Sequence, residues 1–342
     1  MHEALLSEKL PGSVVRCGVC QWRCVINPDK TGVCRMYQNV KGVLYNLNYA
    51  LVSSAAVDPI EKKPLFHFHP GTQVFSLGGW GCNFHCADCQ NFEISMVKEV
   101  LEGSQKVLPE SAIELAKGYK CEGIAWTYNE PSMWFEYTLD CAKLAKASNL
   151  FTVYVTNGYL SPEALDMLGP YLDAWRVDVK GFSDTLYQNL AKITHWRGIL
   201  EVAQRAKKKW DMHVEVVTNI IPTMNDDDEQ LNGIARWIHN ELGEMTPWHV
   251  TRFHPSYEIA NLPATPLATL EHAYDIGHKA GLKFVYLGNV PGHGSETTVC
   301  CNCGKPVIER TGYNTKVCGL LGSCCEFCGT DLNFKVKPKG GK

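Results

Sequence analysis

The chain has no long apolar run and no marked excess of charge of either sign. None of its 342 residues falls in a hydrophobic stretch near the roughly 20 residues that a membrane-spanning helix needs. The opening Met1 to Leu10 carries Glu3 and Glu8 and lacks the apolar core of a secretory leader. A formal net charge of −3 supplies no bulk attraction to nucleic acid or to an anionic membrane. Nothing in the composition points to disorder, because 45% hydrophobic and 20% charged residues are ordinary for a folded chain of two or so domains. The end from Lys335 to Lys342 holds four lysines and reads as a solvated tail. These absences predict a cytoplasmic globular protein with no membrane partner.

Cysteine, by contrast, is abundant, with sixteen in the chain. Disulfide scaffolds belong to short secreted chains, so clustered C-x-x-C spacings here point to metals held in a reducing compartment. Cys121 and Cys141 stand alone and read as core residues. The others form three groups.

The most specific group is Gly81-Cys82-Asn83-Phe84-His85-Cys86-Ala87-Asp88-Cys89-Gln90-Asn91. Cys82, Cys86 and Cys89 can hold three corners of a [4Fe–4S] cube and leave one iron open, whereas electron-transfer clusters normally have four protein ligands. The bland alternative is a zinc knuckle or reduced core thiols. After the triplet, β-branched runs alternate with amphipathic stretches. Strands are predicted at Gln73–Leu77, Gly123–Thr127, Phe151–Thr156, Ala174–Val179, His213–Ile220, His249–Phe253 and Lys283–Leu287. Helices are predicted near Pro109–Lys117, Ser132–Ala147, Pro162–Leu168, Arg197–Lys209, Asp227–Leu242 and Pro266–Ala280. This is an α/β pattern with a parallel sheet, whose ligands gather at the C-terminal strand ends.

The triplet spacing followed by βα repeats resembles the radical S-adenosylmethionine (SAM) superfamily. The resemblance implies a partial (β/α)6-type barrel in which the open iron chelates SAM and one electron splits the sulfonium to a 5′-deoxyadenosyl radical. It places Tyr128-Asn129-Glu130-Pro131 where members carry a Gly-Gly-Glu-like motif, so Asn129 and Glu130 are expected at the SAM ammonium. The bland reading of Glu130 is a helix-opening acid. Val155-Thr156-Asn157-Gly158, Arg176-Val177-Asp178-Val179-Lys180, the run from Val216 to Asp228 and Arg252-Phe253-His254-Pro255 look like those of glycyl-radical-enzyme activases such as the pyruvate formate-lyase activating enzyme. That likeness implies that Asn157, Asp178 and Lys180 line the SAM pocket. His254, at the end of the sixth strand, is a candidate contact to SAM or substrate and Arg252 to an anionic group, with a structural role the alternative for both. An Asp178–Lys180 ion pair is the structural alternative. The activases have a carboxylate where this chain has Val155 and an arginine near Val217, so neither a bound monovalent cation nor a glycyl-loop substrate follows.

A closer resemblance lies in Glu61-Lys62-Lys63-Pro64-Leu65-Phe66-His67-Phe68-His69-Pro70-Gly71, Cys89-Gln90-Asn91, Tyr128-Asn129-Glu130-Pro131 and Thr251-Arg252-Phe253-His254-Pro255. These runs look like the AmmeMemoRadiSam-system radical SAM enzymes, which also carry cysteine clusters at both ends. The resemblance implies Memo-type and AMMECR-type partner proteins and leaves the substrate open. Within Cys20-Gln21-Trp22-Arg23-Cys24 the chain departs from the commoner Pro-His, which removes an imidazole. His67 and His69 alternate on an extended segment and read chiefly as packing residues.

The remaining groups lie at the ends. Cys300-x2-Cys303 and Cys325-x2-Cys328, each followed by glycine, read as a four-thiolate site for zinc or iron, with Cys318 and Cys324 as bystanders. Cys17, Cys20, Cys24 and Cys34 hold an auxiliary [4Fe–4S] cluster, a zinc or nothing, because spacing alone does not decide metal identity. The expected division is a cysteine-rich segment over residues 1–70, a barrel over 71–290 and a paired-CxxC module over 291–342, held against the barrel's ligand-bearing end. The expected function is hydrogen abstraction from an unidentified substrate, with electrons from a donor such as flavodoxin or ferredoxin. A glycyl-radical activase is one alternative; an iron–sulfur electron carrier or zinc adaptor is another.

Overall fold

Runs such as Phe151-Thr152-Val153-Tyr154-Val155-Thr156 are β-branched or aromatic at every position, as suits a strand covered on both faces. In a computed structural model, which describes residues 1–336, these runs assemble into one eight-stranded sheet. Its strands are β1 (Ser54–Pro59), β2 (Gln73–Gly78), β3 (Gly123–Trp126), β4 (Phe151–Thr156), β5 (Ala174–Asp178), β6 (His213–Ile220), β7 (Trp248–Arg252) and β8 (Val285–Gly288). They lie side by side in chain order. β2 to β8 are parallel, and β1 pairs antiparallel with β2. The sheet is therefore an open barrel with one parallel strand beyond six. β1 belongs to the first 70 residues, yet it edges this sheet.

The crossovers carry α1 (Pro109–Gly118), α2 (Phe135–Ala147), α3 (Pro162–Leu168), α4 (Asp184–Leu190), α5 (Arg197–Trp210), α6 (Asp228–Trp237) and α7 (Leu267–Lys279). Their starts follow local chemistry. Ser161 Oγ accepts the Ala164 N–H at 3.1 Å and opens α3 ahead of Pro162, and Asp227 does the same for Gln230 at 3.0 Å at the start of α6. Strand alternation then sorts the side chains. Tyr154 faces the helices, its ring 5.7 Å from that of Trp126 and 5.8 Å from that of Trp175. Phe151 and Val153 face the concave side beside Phe68 and Leu65.

The N-terminal ends of the strands are closed by the segment around Phe66 and by the C-terminal module. Phe66, Phe284, Tyr286, Val307, Ile308, Leu332 and Phe334 form one buried cluster. The module thus packs under the barrel, and Cys301 shares a surface with Met245, Lys283 and Asn333 beside the starts of β7 and β8. This corrects the expectation that the module covers the ligand-bearing end; among the module's described residues, Tyr313, at a hairpin tip, is the one that lines the cleft. Where the lysine-bearing tail is described, the Lys335 backbone pairs with Phe68 and its N–H donates to the His67 carbonyl at 2.8 Å, while its side chain is exposed. Residues 337–342 of that tail lie outside the described residues. Among the described residues no helix is long and apolar enough to cross a membrane.

Candidate functional site

The C-terminal strand ends open into a cleft of about 450 Å³. It is lined by Cys82, Cys86 and Cys89 together with Asn129, Glu130, Asn157, Asp178 and Lys180, so one cavity gathers residues from the triplet loop and the ends of three strands. His254 is the exception. Phe253 turns into the core against Leu186 and Ile221, and its N–H donates to Thr265 Oγ1 at 2.9 Å, which leaves His254 exposed beyond it. Thr251 takes the inward position on β7.

The loop bearing the triplet is fixed at its start. Gly81 has φ of 77°, and a Cβ there would lie 2.7 Å from Met36 Cγ, so only glycine fits the close approach. Asn129 clamps the same turn, accepting the Gly79 N–H at 3.1 Å and donating to the Gly81 carbonyl at 2.7 Å. The Phe84 N–H points at Cys82 Sγ at 3.4 Å. Burial pushes the Cys82 thiol well up from its ordinary value and the Cys86 thiol up to about 12. Three partly buried thiols that resist ionisation fit a metal centre, whose positive charge is what would hold them as thiolates.

Glu130 is buried and held by protein donors. Oε1 accepts from the Ser132 N–H at 3.1 Å and the Ser132 hydroxyl at 2.6 Å, Oε2 accepts the Asn157 N–H at 2.8 Å, and the Thr156 hydroxyl lies within 3.0 Å of both oxygens. Burial pushes its carboxyl up, and these donors pull the other way. A carboxylate offers about four acceptor sites, so a ligand ammonium would have to share them. Asn157, fixed by this bond and by the Tyr159 N–H at 3.0 Å on its Oδ1, aims Nδ2 at Asn83 Oδ1 at 2.8 Å and at Cys82 Sγ at 3.8 Å.

Asp178 and Lys180 do not pair with each other. Arg176 donates to Asp178 at 2.6 Å, and Lys180 Nζ lies 3.7 Å from Asp88 within the triplet loop. Burial pulls the Lys180 ammonium down, but Asp88, Cys86 and Asp178 together lift it above its ordinary value. Sequence reasoning passed over Asp88, Arg176 and Asn83. For Asp88 and Asn83 the available signal was their place inside the triplet. The opposite wall carries Lys62 and Lys63, whose ammonium groups donate to Asp58 at 2.8 and 2.7 Å.

The other two cysteine groups are each brought together. Cys300, Cys303, Cys325 and Cys328 present sulfurs all within 4.8 Å of one another, with Cys300–Cys328 at 3.5 Å and Cys303–Cys325 at 3.7 Å. Tetrahedral zinc with bonds of about 2.3 Å sets its sulfurs about 3.8 Å apart, so this site fits a single ion. Cys17, Cys20, Cys24 and Cys34 line one small apolar cavity with Trp22, Ile26 and Met133. Cys121 and Cys141 are buried in the core, as expected.

Comparison with known proteins agrees with this architecture. Residues 79–238 match the model of the Radical SAM superfamily. The chain is 42% identical over 336 residues to the uncharacterized protein MJ0808 of Methanocaldococcus jannaschii, covering 98% of this chain and 99% of that one. A second protein of that organism, the uncharacterized MJ0674, is 22% identical over 282 residues, covering 79% of this chain and 76% of that one. A radical SAM methyltransferase from Sphaerobacter thermophilus superposes with a TM-score of 0.50 at 14% identity, covering 70% of this chain and 71% of that one. That last likeness is one of fold.

Proposed function

The chain belongs to the radical SAM superfamily, in one family with MJ0808, and on that premise we propose that it binds a [4Fe–4S] cluster through Cys82, Cys86 and Cys89 and SAM beside it. The observation that carries the reading is the single cleft shared by the three thiols, Asn157, Asp178 and Lys180. When bound, the cluster and SAM supply a one-electron cleavage of the sulfonium that yields a 5′-deoxyadenosyl radical. The residues themselves bind and orient. Lys180, held as an ammonium beside Asp88, suits the SAM carboxylate, and the partly exposed Asp178 suits the ribose hydroxyls. Glu130 acts as a positioning residue that holds Asn157 toward Cys82. Phe84, Val155 and Val217 give the cleft an apolar lining that limits water around a reactive radical.

The reaction proposed is hydrogen abstraction from a protein, RNA or small-molecule substrate. Val155 and Val217 line the cleft where the activase pattern places charged groups, which favours another substrate over a glycyl-radical loop. The resemblance in the flanking motifs supports Memo-type and AMMECR-type partners, and the electron is supplied by a donor of the flavodoxin or ferredoxin class. Zinc is the metal proposed for the C-terminal thiols, because a closed four-thiolate site needs no redox role.

The test is anaerobic incubation of iron-loaded protein with SAM and dithionite, followed by mass spectrometry for 5′-deoxyadenosine. Product is expected from the wild type and none after Cys82, Cys86 and Cys89 are all replaced by Ala. Undiminished product from the triple variant would overturn the assignment.

A further inference from the structure

The quartet Cys17, Cys20, Cys24 and Cys34 differs from the C-terminal quartet in one measurable way. Both sets converge, but among the described residues only the C-terminal sulfurs form a group of three or more within 4.8 Å of one another. The N-terminal four line a common cavity at wider spacing. A single tetrahedral ion draws its thiolates to about 3.8 Å, whereas a cubane holds its ligands farther apart because four metal atoms lie between them. The Cys82 triplet shares that wider spacing.

Two further observations point into the same cavity. Asn83 is fully buried, its Nδ2 has no hydrogen-bond partner, and its side chain faces the Cys20 thiol. Its Oδ1 meanwhile accepts from Asn157, and its neighbour in sequence is Cys82. The quartet loop is also docked rigidly on the ligand end of the barrel. Trp22 Nε1 donates to the Asn83 carbonyl at 2.8 Å, Gln21 Nε2 donates to the Leu160 carbonyl at 3.1 Å, and Ser161 Oγ donates to the Gly18 carbonyl at 2.6 Å. Cys20 itself bridges to Leu160. Asn83 therefore stands between Cys20 of the quartet and Cys82 and Asn157 of the triplet site.

We propose that Cys17, Cys20, Cys24 and Cys34 bind a second, four-cysteine iron–sulfur cluster that relays electrons to the triplet site past Asn83. The relay rests on the proposed function; the cluster does not. One electron leaves a low-potential one-electron protein carrier, reduces the quartet cluster and passes to the triplet cluster, with no bond made or broken. The half-exposed Cys24 and Trp22, flanked by exposed Val25 and Val33, give the carrier an apolar face to approach. The Ile26, Met133 and Tyr37 side keeps water from the inner half.

The full chain with Cys82, Cys86 and Cys89 all replaced by Ala, reconstituted anaerobically with iron and sulfide, separates the possibilities. About four iron and four acid-labile sulfide per chain are expected to remain, with a paramagnetic signal after dithionite reduction. Loss of all iron, or a second zinc beyond the C-terminal one, overturns the proposal whether or not SAM is cleaved by the wild type. Cys24→Ala, at a half-exposed position, tests the relay: 5′-deoxyadenosine formation should be lost with reduced flavodoxin and persist with dithionite, which reaches the triplet cluster directly. Full activity with flavodoxin would leave the quartet outside the electron path and overturn the relay.

Discussion

Glu130→Gln separates a carboxylate that serves SAM from one that serves the site's frame. The wild-type side chain receives four donors: the Ser132 N–H and hydroxyl, the Thr156 hydroxyl and the Asn157 N–H. An amide keeps one acceptor oxygen and turns the other position into a donor. Whichever way it is placed, an NH₂ group then faces the Asn157 N–H or the Ser132 pair. The loss is one hydrogen bond to a charged acceptor plus the cost of a buried unsatisfied N–H, together about 3 kcal/mol. For a chain of 342 residues that corresponds to a melting drop of about 4 °C. Because Asn157 loses its anchor, SAM binding should weaken in parallel. The assay is anaerobic melting of the iron-loaded protein alongside equilibrium SAM binding. A melting point unchanged within about a degree while SAM binding disappears would refute the reasoning, since the carboxylate would then be spending its acceptors on the ligand.

Asp58→Asn should destabilise the protein by about 3 kcal/mol at neutral pH, because it leaves Lys63 buried without its partner. Against burial, the Lys62, Lys63 and Tyr128 bonds hold the Asp58 carboxyl well below its ordinary value, so its contribution is present above about pH 4 and lost as pH falls; urea melts of both proteins should therefore converge in acid, and a constant difference would contradict the ion-pair account. Gly158→Ala places a Cβ 2.7 Å from Ile199 Cγ2 at a φ of 77°, which should cost about 2 kcal/mol and loosen Asn157; unchanged melting would show that the turn can relax. Metal analysis of the full chain with its triplet and N-terminal quartet removed should find about one zinc, and Cys303→Ser should abolish it; iron there, or metal retained by the variant, would overturn the C-terminal site.

The seven parallel strands were legible because each is a short run of mostly apolar or β-branched residues buried in the sheet, a pattern set by burial rather than by partners. β1 was not. Ser54-Ala55-Ala56-Val57-Asp58-Pro59 has little β-propensity and becomes a strand only because β2 offers an edge. α4 escaped for a similar reason, being a short helix whose visible sign is the Ser183 cap on the Leu186 N–H. At the site, the convergence of Cys82, Cys86 and Cys89 on one cleft was legible because it is written in their spacing. The partners of Asp178 and Lys180 were not, since Asp88 reaches Lys180 only when the loop folds over β5. His254 was misplaced because alternation holds only to the end of β7, after which Phe253 packs inward.

The position of the C-terminal module follows from how an open sheet is closed. The segment from Ile60 to His69 plugs the barrel at the N-terminal strand ends, where its polar backbone needs partners in a dry interior. Glu215 supplies them, accepting the Phe66 N–H at 3.0 Å and the His67 N–H at 2.8 Å, while His213 and His249 meet its oxygens at 2.8 and 2.6 Å. Burying a carboxylate costs several kcal/mol, which four donors offset. Burial also pulls the His67 imidazole down to about 3, so the ring is neutral and has one donor. The Leu332 carbonyl at 3.0 Å can only accept, so Nδ1 carries the proton and Nε2 accepts from the Tyr286 hydroxyl at 2.7 Å. Tyr286 in turn accepts from Thr298, at 2.8 Å, and Thr298 from Arg310, at 2.8 Å. The protons thus run in one direction from the module, through the last strand and the plug, and back to the module. Such a chain admits one register, and the same segment carries Lys62 and Lys63 to the cleft at its other end. The four-thiolate module and the lysine-bearing wall of the cleft are therefore positioned by a single stretch of backbone.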